Sequence, residues 1–295
     1  MLKKYNTWEF ALFSAHLHYY MPSIAWHDHY ELYDQWKSYH IARPFRSSEE
    51  WSNIDPGVLK DGQPKIICLY HLGFHAQIPR VLADQGIQFD ILMDKKVYLA
   101  QNDEMLEMQT EMRSRGLKFR YLLSDDSSVL LKSRSTIQEG RHLLIFADGN
   151  SGVSESRHKK VAIGFLANRI YVRTGIALLA YLLNVPVVPF SNTIVEKQYR
   201  LSYGASIICD KSEQRDFFIS RCMQGLYNFL AIEIEDQPWK WECWGYLHEM
   251  NCYDIGAYTE ELALKDKEQT CIKLKLNGRE GCFNRKYFCY KFLWK

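Results

Sequence analysis

Short apolar runs alternate with helix-length stretches from Lys65 to Ile194, and this alternation restricts the chain to few architectures. KIICLYHLG has the pattern of a buried strand ending at Gly73, and FHAQIPRVLADQG after it reads as a helix closed by Gly86. IQFDILM gives a second strand, and a helix is expected from about Asn102 to Arg115. The unit then repeats as KFRYLL, the helical SSVLLKSRSTIQEG with its stop at Gly140, and HLLIFADG. Further on, the helix RTGIALLAYLLNV precedes the strand VPVVPFSNTI. Strands separated by helices of about a dozen residues need crossover connections, so an α/β class with a mostly parallel sheet flanked by helices is expected. Ligands of such sheets bind at the carboxyl ends of the strands. The residues at those ends here are His71, Asp94 and Asp148.

The flanks read differently. From Thr7 to about Ser52 the chain is rich in Trp, Tyr and His, and Leu12, Leu17, Met21 and Ile24 sit near helical spacing around Pro22. The turn-rich NIDPGVLKDGQP marks the entry to the core domain. Beyond Asp254, two β-prone runs surround Asn277-Gly278, a hairpin signal. The expected organisation is a helical N-terminal segment over 1–52, an α/β domain over 53–253 and a small C-terminal β appendage over 254–295.

A formal net charge of +2 gives no electrostatic case for nucleic acid, and no base-reading pattern occurs. The eight cysteines form no CxxC pair and their spacings resemble no zinc site, so no metal is expected. His16, His18 and Tyr19 interrupt the apolar N-terminal stretch, which therefore does not read as a signal peptide. No apolar run reaches the roughly 18 to 20 residues of a spanning helix. Reducing cytoplasm is the expected location.

Three places carry chemistry. His71, just past a strand, has the pKa range of a general base, and His75 competes for that role one helical turn later. Asp148 leaves an apolar strand for a Gly-containing turn, where a carboxylate either orients a base or caps the turn. Arg169 and Arg173 precede an apolar helix, where guanidinium groups meet anions or simply stay solvated.

Taken in order, these places resemble a known family. HLGFHAQ is similar to the HLGNWE stretch of the lipid A late (lauroyl and myristoyl) acyltransferases, within the lysophospholipid acyltransferase superfamily. SSVLLKSRSTIQEGRHLLIFADGNSG resembles their helix-Gly-strand segment, which ends in an Asp-containing turn. GFLANRIYVRTGIALLAYLLNVPVVPF resembles the segment that follows, and QPWKWECWGYLH their Pro-Glu-Gln-Trp-x-Trp sequence. The resemblance covers roughly Ile54 to Met250.

It implies a glycerolipid acyltransferase-like fold and transfer of an acyl group from an acyl-carrier-protein or acyl-CoA thioester to a hydroxyl or amine. The setting would be lipid or secondary-metabolite biosynthesis. In that family an H-x4-[DE] motif carries the reaction, so His71 would be the base. The fifth residue beyond it is Ala76, and the orienting carboxylate is missing; Asp148 is the candidate replacement. Lys95 and Lys96 stand where the family has an arginine. The substrate-binding set implied is Arg173, Lys95 and His75. No cofactor is implied, and a lipid or small-molecule acceptor is. The family's membrane anchor is not seen, which leaves peripheral attachment at the inner membrane as the alternative to a free cytoplasmic protein. The competing reading is a catalytically degenerate protein that binds an acyl chain or a carrier protein.

Overall fold

The computed structural model describes residues 2–41, 51–52, 57–149, 160–195, 198–250 and 270–293. Cys252, the expected turn through Ser151 and Gly152, and the start of the 254–295 appendage lie outside the described residues. In chain order the elements begin with α1 (Trp8–Tyr20), α2 (Asp28–Tyr39), β1 (Trp51–Ser52), β2 (Ile66–Leu69), α3 (Ile78–Asp84) and β3 (Phe89–Met93). There follow α4 (Lys95–Ala100), α5 (Asn102–Ser114), β4 (Tyr121–Leu123), α6 (Val129–Gln138), β5 (His142–Phe146), β6 (Lys160–Phe165) and β7 (Asn168–Arg173). The last are α7 (Gly175–Leu183), β8 (Val187–Val195), β9 (Gln198–Tyr203), α8 (Arg215–Glu235), β10 (Cys271–Leu276), β11 (Arg279–Asn284) and β12 (Cys289–Phe292). None of the described helices is long and apolar enough to cross a membrane.

The chain divides into two compact units. One combines Met1–Ile41, Ala162–Tyr171 and Ile234–Lys295; the other combines Ala42–Val161 and Val172–Glu233.

The second unit holds a seven-stranded sheet, counting two-residue β1, in the order β1-β9-β8-β2-β5-β3-β4. Every pairing is parallel except that of β8 with β9. The fold is therefore α/β with a mostly parallel sheet, as the alternation of runs requires. Burial of apolar side chains on both faces explains why β2 reads as a continuous apolar run. On one face Ile67, Leu69, Phe89, Ile91, Leu144 and Val188 pack with Ile78, Val81 and Leu82 of α3 and Met108 and Met112 of α5. Toward α8, the Tyr70 hydroxyl donates to the Leu226 carbonyl at 2.7 Å.

Strand β3 carries a fully buried carboxylate, Asp90. It accepts from the Thr136 hydroxyl of α6 at 2.6 Å and pairs with Arg120 at 2.9 Å and with the buried Arg141. Removing Asp90 leaves the buried Arg141 with only Glu139, at 3.0 Å, as an ion-pair partner among the described residues, which puts the cost at the low end of that for a broken buried pair, about 3 kcal/mol. Asp90→Ala is expected to lose stability of that order in urea unfolding; a cost under about 1 kcal/mol would show that Arg141 reaches solvent.

The first unit is held by aromatic packing. Thr7 caps α1, its hydroxyl accepting from the Phe10 N–H at 3.2 Å. Phe10 stacks on Tyr30 with centroids 5.0 Å apart, and Phe13 meets Trp36 at 5.3 Å. Trp36 Nε1 donates to the Trp241 carbonyl at 3.1 Å, and the His16 ring bonds the Trp244 carbonyl at 2.6 Å. These two contacts hold the backbone of QPWKWECWGYLH at Trp241 and Trp244, whose side chains are fully buried. The β6–β7 turn joins the same unit through Ala167 N–H and Asn168 Nδ2, which donate to the carbonyls of Tyr20 and Tyr19. Arg285 is buried, donates to the Ser14 hydroxyl at 2.7 Å and lies 4.5 Å from the Trp26 ring centroid.

The C-terminal appendage is a three-stranded antiparallel sheet, β10-β11-β12. Asn277 and Gly278, at φ 51° and 78°, form the two-residue turn with Leu276 opposite Arg279. The hairpin signal locates this turn, while β12 goes beyond it.

Candidate functional site: a histidine–aspartate pair

Strands β2 and β5 are parallel neighbours, in register from Ile66 opposite Leu143 to Leu69 opposite Phe146. The Ala147 N–H donates to the Leu69 carbonyl at 2.8 Å and carries the pairing one residue further. His71 and Asp148 each stand two residues past the paired ends, so both emerge side by side at the carboxyl edge.

There they bond. His71 Nδ1 lies 2.8 Å from Asp148 Oδ1. The His71 backbone N–H also donates to the carboxylate, at 2.9 Å to Oδ2 and 3.2 Å to Oδ1. Both the backbone and the ring of one residue thus address the same carboxylate. The Asp148 side chain is 0% exposed and that of His71 26% exposed. A carboxylate accepting from Nδ1–H assigns the proton to that nitrogen and leaves Nε2 as the acceptor. The Phe146 ring, 4.9 Å away, and the edge of His75, also 4.9 Å away, bracket the imidazole.

The loop that carries His71 is held by a residue that sequence reading did not single out. Asn192, on β8, donates from Nδ2 to the Leu72 carbonyl at 2.8 Å and accepts from the Phe74 N–H at 3.1 Å. It is buried and so pins the backbone on both sides of Gly73, whose φ of 49° turns the loop. The only trace in the sequence is a polar amide inside the run VPVVPFSNTI.

The remaining candidates fall in several places. His75 opens the short 3-10 helix His75–Gln77, within the aromatic bracket of His71. Ala76 is in the same turn and supplies no carboxylate. Asp94, the third strand-end residue, is a helix cap: its carboxylate accepts from the Lys96 N–H at 2.7 Å. Lys95 opens α4, and Tyr98 on that helix lines a cavity of about 310 Å³ with Gln109, Arg120, Tyr121 and Lys132. Neither member of the histidine–aspartate pair lines it. Arg173 ends β7 half-buried, its Nη1 shielded from solvent without a hydrogen-bond partner. Arg169 is exposed on β7.

A partly exposed imidazole backed by a buried carboxylate can take a proton from a hydroxyl, amine or water and return it to a leaving group. The chain matches no protein-family model and no curated protein sequence.

Proposed function

We propose that the α/β unit is a glycerolipid acyltransferase-like domain and that it transfers an acyl group from a carrier-protein or coenzyme A thioester to a hydroxyl or amine. The observation that carries this reading is the 2.8 Å bond between His71 and Asp148. It supplies, from the neighbouring strand, the orienting carboxylate that Ala76 does not. The resemblance of HLGFHAQ and the segments after it to the lipid A late acyltransferases supports the same chemistry.

In this reaction His71 Nε2 accepts the acceptor's proton as its oxygen or nitrogen attacks the thioester carbonyl. Collapse of the tetrahedral adduct breaks the carbon–sulfur bond, and the imidazolium returns the proton to the departing thiolate. Asp148 fixes the tautomer and stabilises the imidazolium. Arg173, with its unsatisfied Nη1, is the proposed contact for a phosphate of the donor. Lys95 and His75 are proposed to contact substrate. The reaction is assigned to lipid or secondary-metabolite biosynthesis, in the cytoplasm or at the inner face of its membrane.

The test is turnover of acyl-carrier and acyl-coenzyme A thioesters with a panel of acceptors. The parent protein should consume thioester, and His71→Ala should fall to background. No turnover by the parent, with acyl chains still bound, would replace this reading with that of a non-catalytic binding protein.

A further inference from the structure

Three cysteines far apart in any motif sense, Cys271, Cys282 and Cys289, meet on the C-terminal sheet. Pairing of β10 with β11 sets Cys271 opposite Asn284 and Lys273 opposite Cys282. Pairing of β11 with β12 sets Asn284 opposite Cys289 and Cys282 opposite Lys291. Side chains directly opposite or two residues apart share a face. One face therefore presents all three thiols around Asn284, with a lysine on each side of Cys282. The other face, through Phe283, packs on Trp8. The three thiols are free and half-buried.

Two further observations point to a ligand. Burial and the neighbouring Cys271 and Cys289 thiols hold the Cys282 thiol above its ordinary range. Asn284, at 4% exposure, keeps a buried Nδ2 without any hydrogen-bond partner. Its Oδ1 is used, accepting from the Lys286 and Tyr287 N–H groups at 3.0 and 3.3 Å. A buried amide donor costs about 1–3 kcal/mol when unmatched. Next to thiols, its natural acceptor is a thiolate.

We propose that Cys271 and Cys282 form a two-coordinate thiolate site for a soft monovalent metal ion of the Cu(I) type, with the Asn284 amide donating to a bound sulfur. Binding displaces protons: two thiols and one cation give a dithiolate complex of charge −1 and release two protons. Lys273 and Lys291 flank that charge. Soft thiolate ligands select such ions over harder ones. Two metal–sulfur bonds of about 2.3 Å span sulfurs up to about 4.6 Å apart, a gap that the side chains of a diagonal cross-strand pair can close. A disulfide suits the pair less well. Diagonal positions on antiparallel strands stand about 7–8 Å apart, and a disulfide needs Cα atoms within about 7 Å.

The experiment is competition for Cu(I) between the reduced full-length chain and a chromophoric Cu(I) chelator, measured without any thioester. The parent should withdraw one equivalent of Cu(I) at these thiols. Cys271→Ser and Cys282→Ser should each weaken binding at least about 100-fold, while Cys209→Ser, outside this sheet, should leave it unchanged. Asn284→Asp keeps the Oδ1 acceptor and removes the donor, and should cost about 10–100-fold, the range for an outer-shell partner. Failure of the parent to compete overturns the proposal. So does parent-like affinity in Cys271→Ser and Cys282→Ser, or in Asn284→Asp should the serine variants not fold.

Discussion

Asp148→Asn is expected to lower thioester turnover by about 10⁴-fold while leaving the fold unchanged. The size follows from the two jobs of the carboxylate. It accepts from the His71 backbone N–H, a contact that an asparagine Oδ1 can keep. It also accepts from Nδ1 at 2.8 Å, and there the amide nitrogen of asparagine would donate instead. The imidazole would then carry its proton on Nε2, the nitrogen that has to receive one. The fold should survive because the backbone contact and the side-chain volume are conserved. Residues that act as one unit are not additive, so the double variant with His71→Ala should be no slower than either single one. Turnover above about a tenth of the parent's in Asp148→Asn would remove Asp148 from the mechanism and reopen the search for the orienter. Circular dichroism and a urea midpoint on the same preparation separate lost chemistry from lost fold.

Acid should unfold this protein well before its carboxylates titrate. Burial lowers the pKa of His16 and of His29 to about 3 and that of His142 to about 4. Each ring is engaged as a neutral imidazole. His16 bonds the Trp244 carbonyl, His29 the Ser14 hydroxyl, and His142 lies between the Lys65 N–H and the Leu59 carbonyl. Unfolded, the same rings protonate near 6.5. A folded pKa below the unfolded one means that the stability is fully present above pH 6.5 and is lost as pH falls toward the folded values. At about 1.4 kcal/mol per pH unit, His16 or His29 alone withdraws on the order of 4 kcal/mol by pH 3. Small domains have only about 5–15 kcal/mol in total. Urea midpoints measured at pH 7.5, 6.0 and 5.0 should fall steadily, and replacing His29 with asparagine should flatten the fall. Carboxylates contribute little in that interval, so midpoints constant from 7.5 to 5.0 would mean that these rings are hydrated in the folded state.

Both members of the candidate pair were legible as strand-end residues, because each ends an apolar run with a polar side chain. Their contact was expected only through the family resemblance, with Asp148 standing in for the carboxylate missing at Ala76, and the strand order behind it was not legible. The chain visits β3 and β4 before it returns to lay β5 between β2 and β3, and periodicity records the strands without their order. Asn192 was hidden for a related reason: its partners are carbonyl and amide groups more than a hundred residues away. The turn at Asn277-Gly278 was readable because it depends on two adjacent residues with positive φ. The meeting of the cysteines was not, since spacings of 11 and 7 residues match no ligand motif and only the pairing register brings them to one face. The hairpin of β6 and β7 was overlooked for want of a turn signal, its tip being Leu166 and Ala167.

The matched ends of β2 and β5 also govern how this protein can be recombined. Because the His71–Asp148 contact depends on Leu69 lying opposite Phe146, a one-residue insertion or deletion inside either strand would turn one partner toward the opposite face of the sheet. A shuffling library crossed between the two strands should therefore yield working progeny only where both parents share the length of β2 and of β5, however freely the intervening α4–α6 segment varies in length.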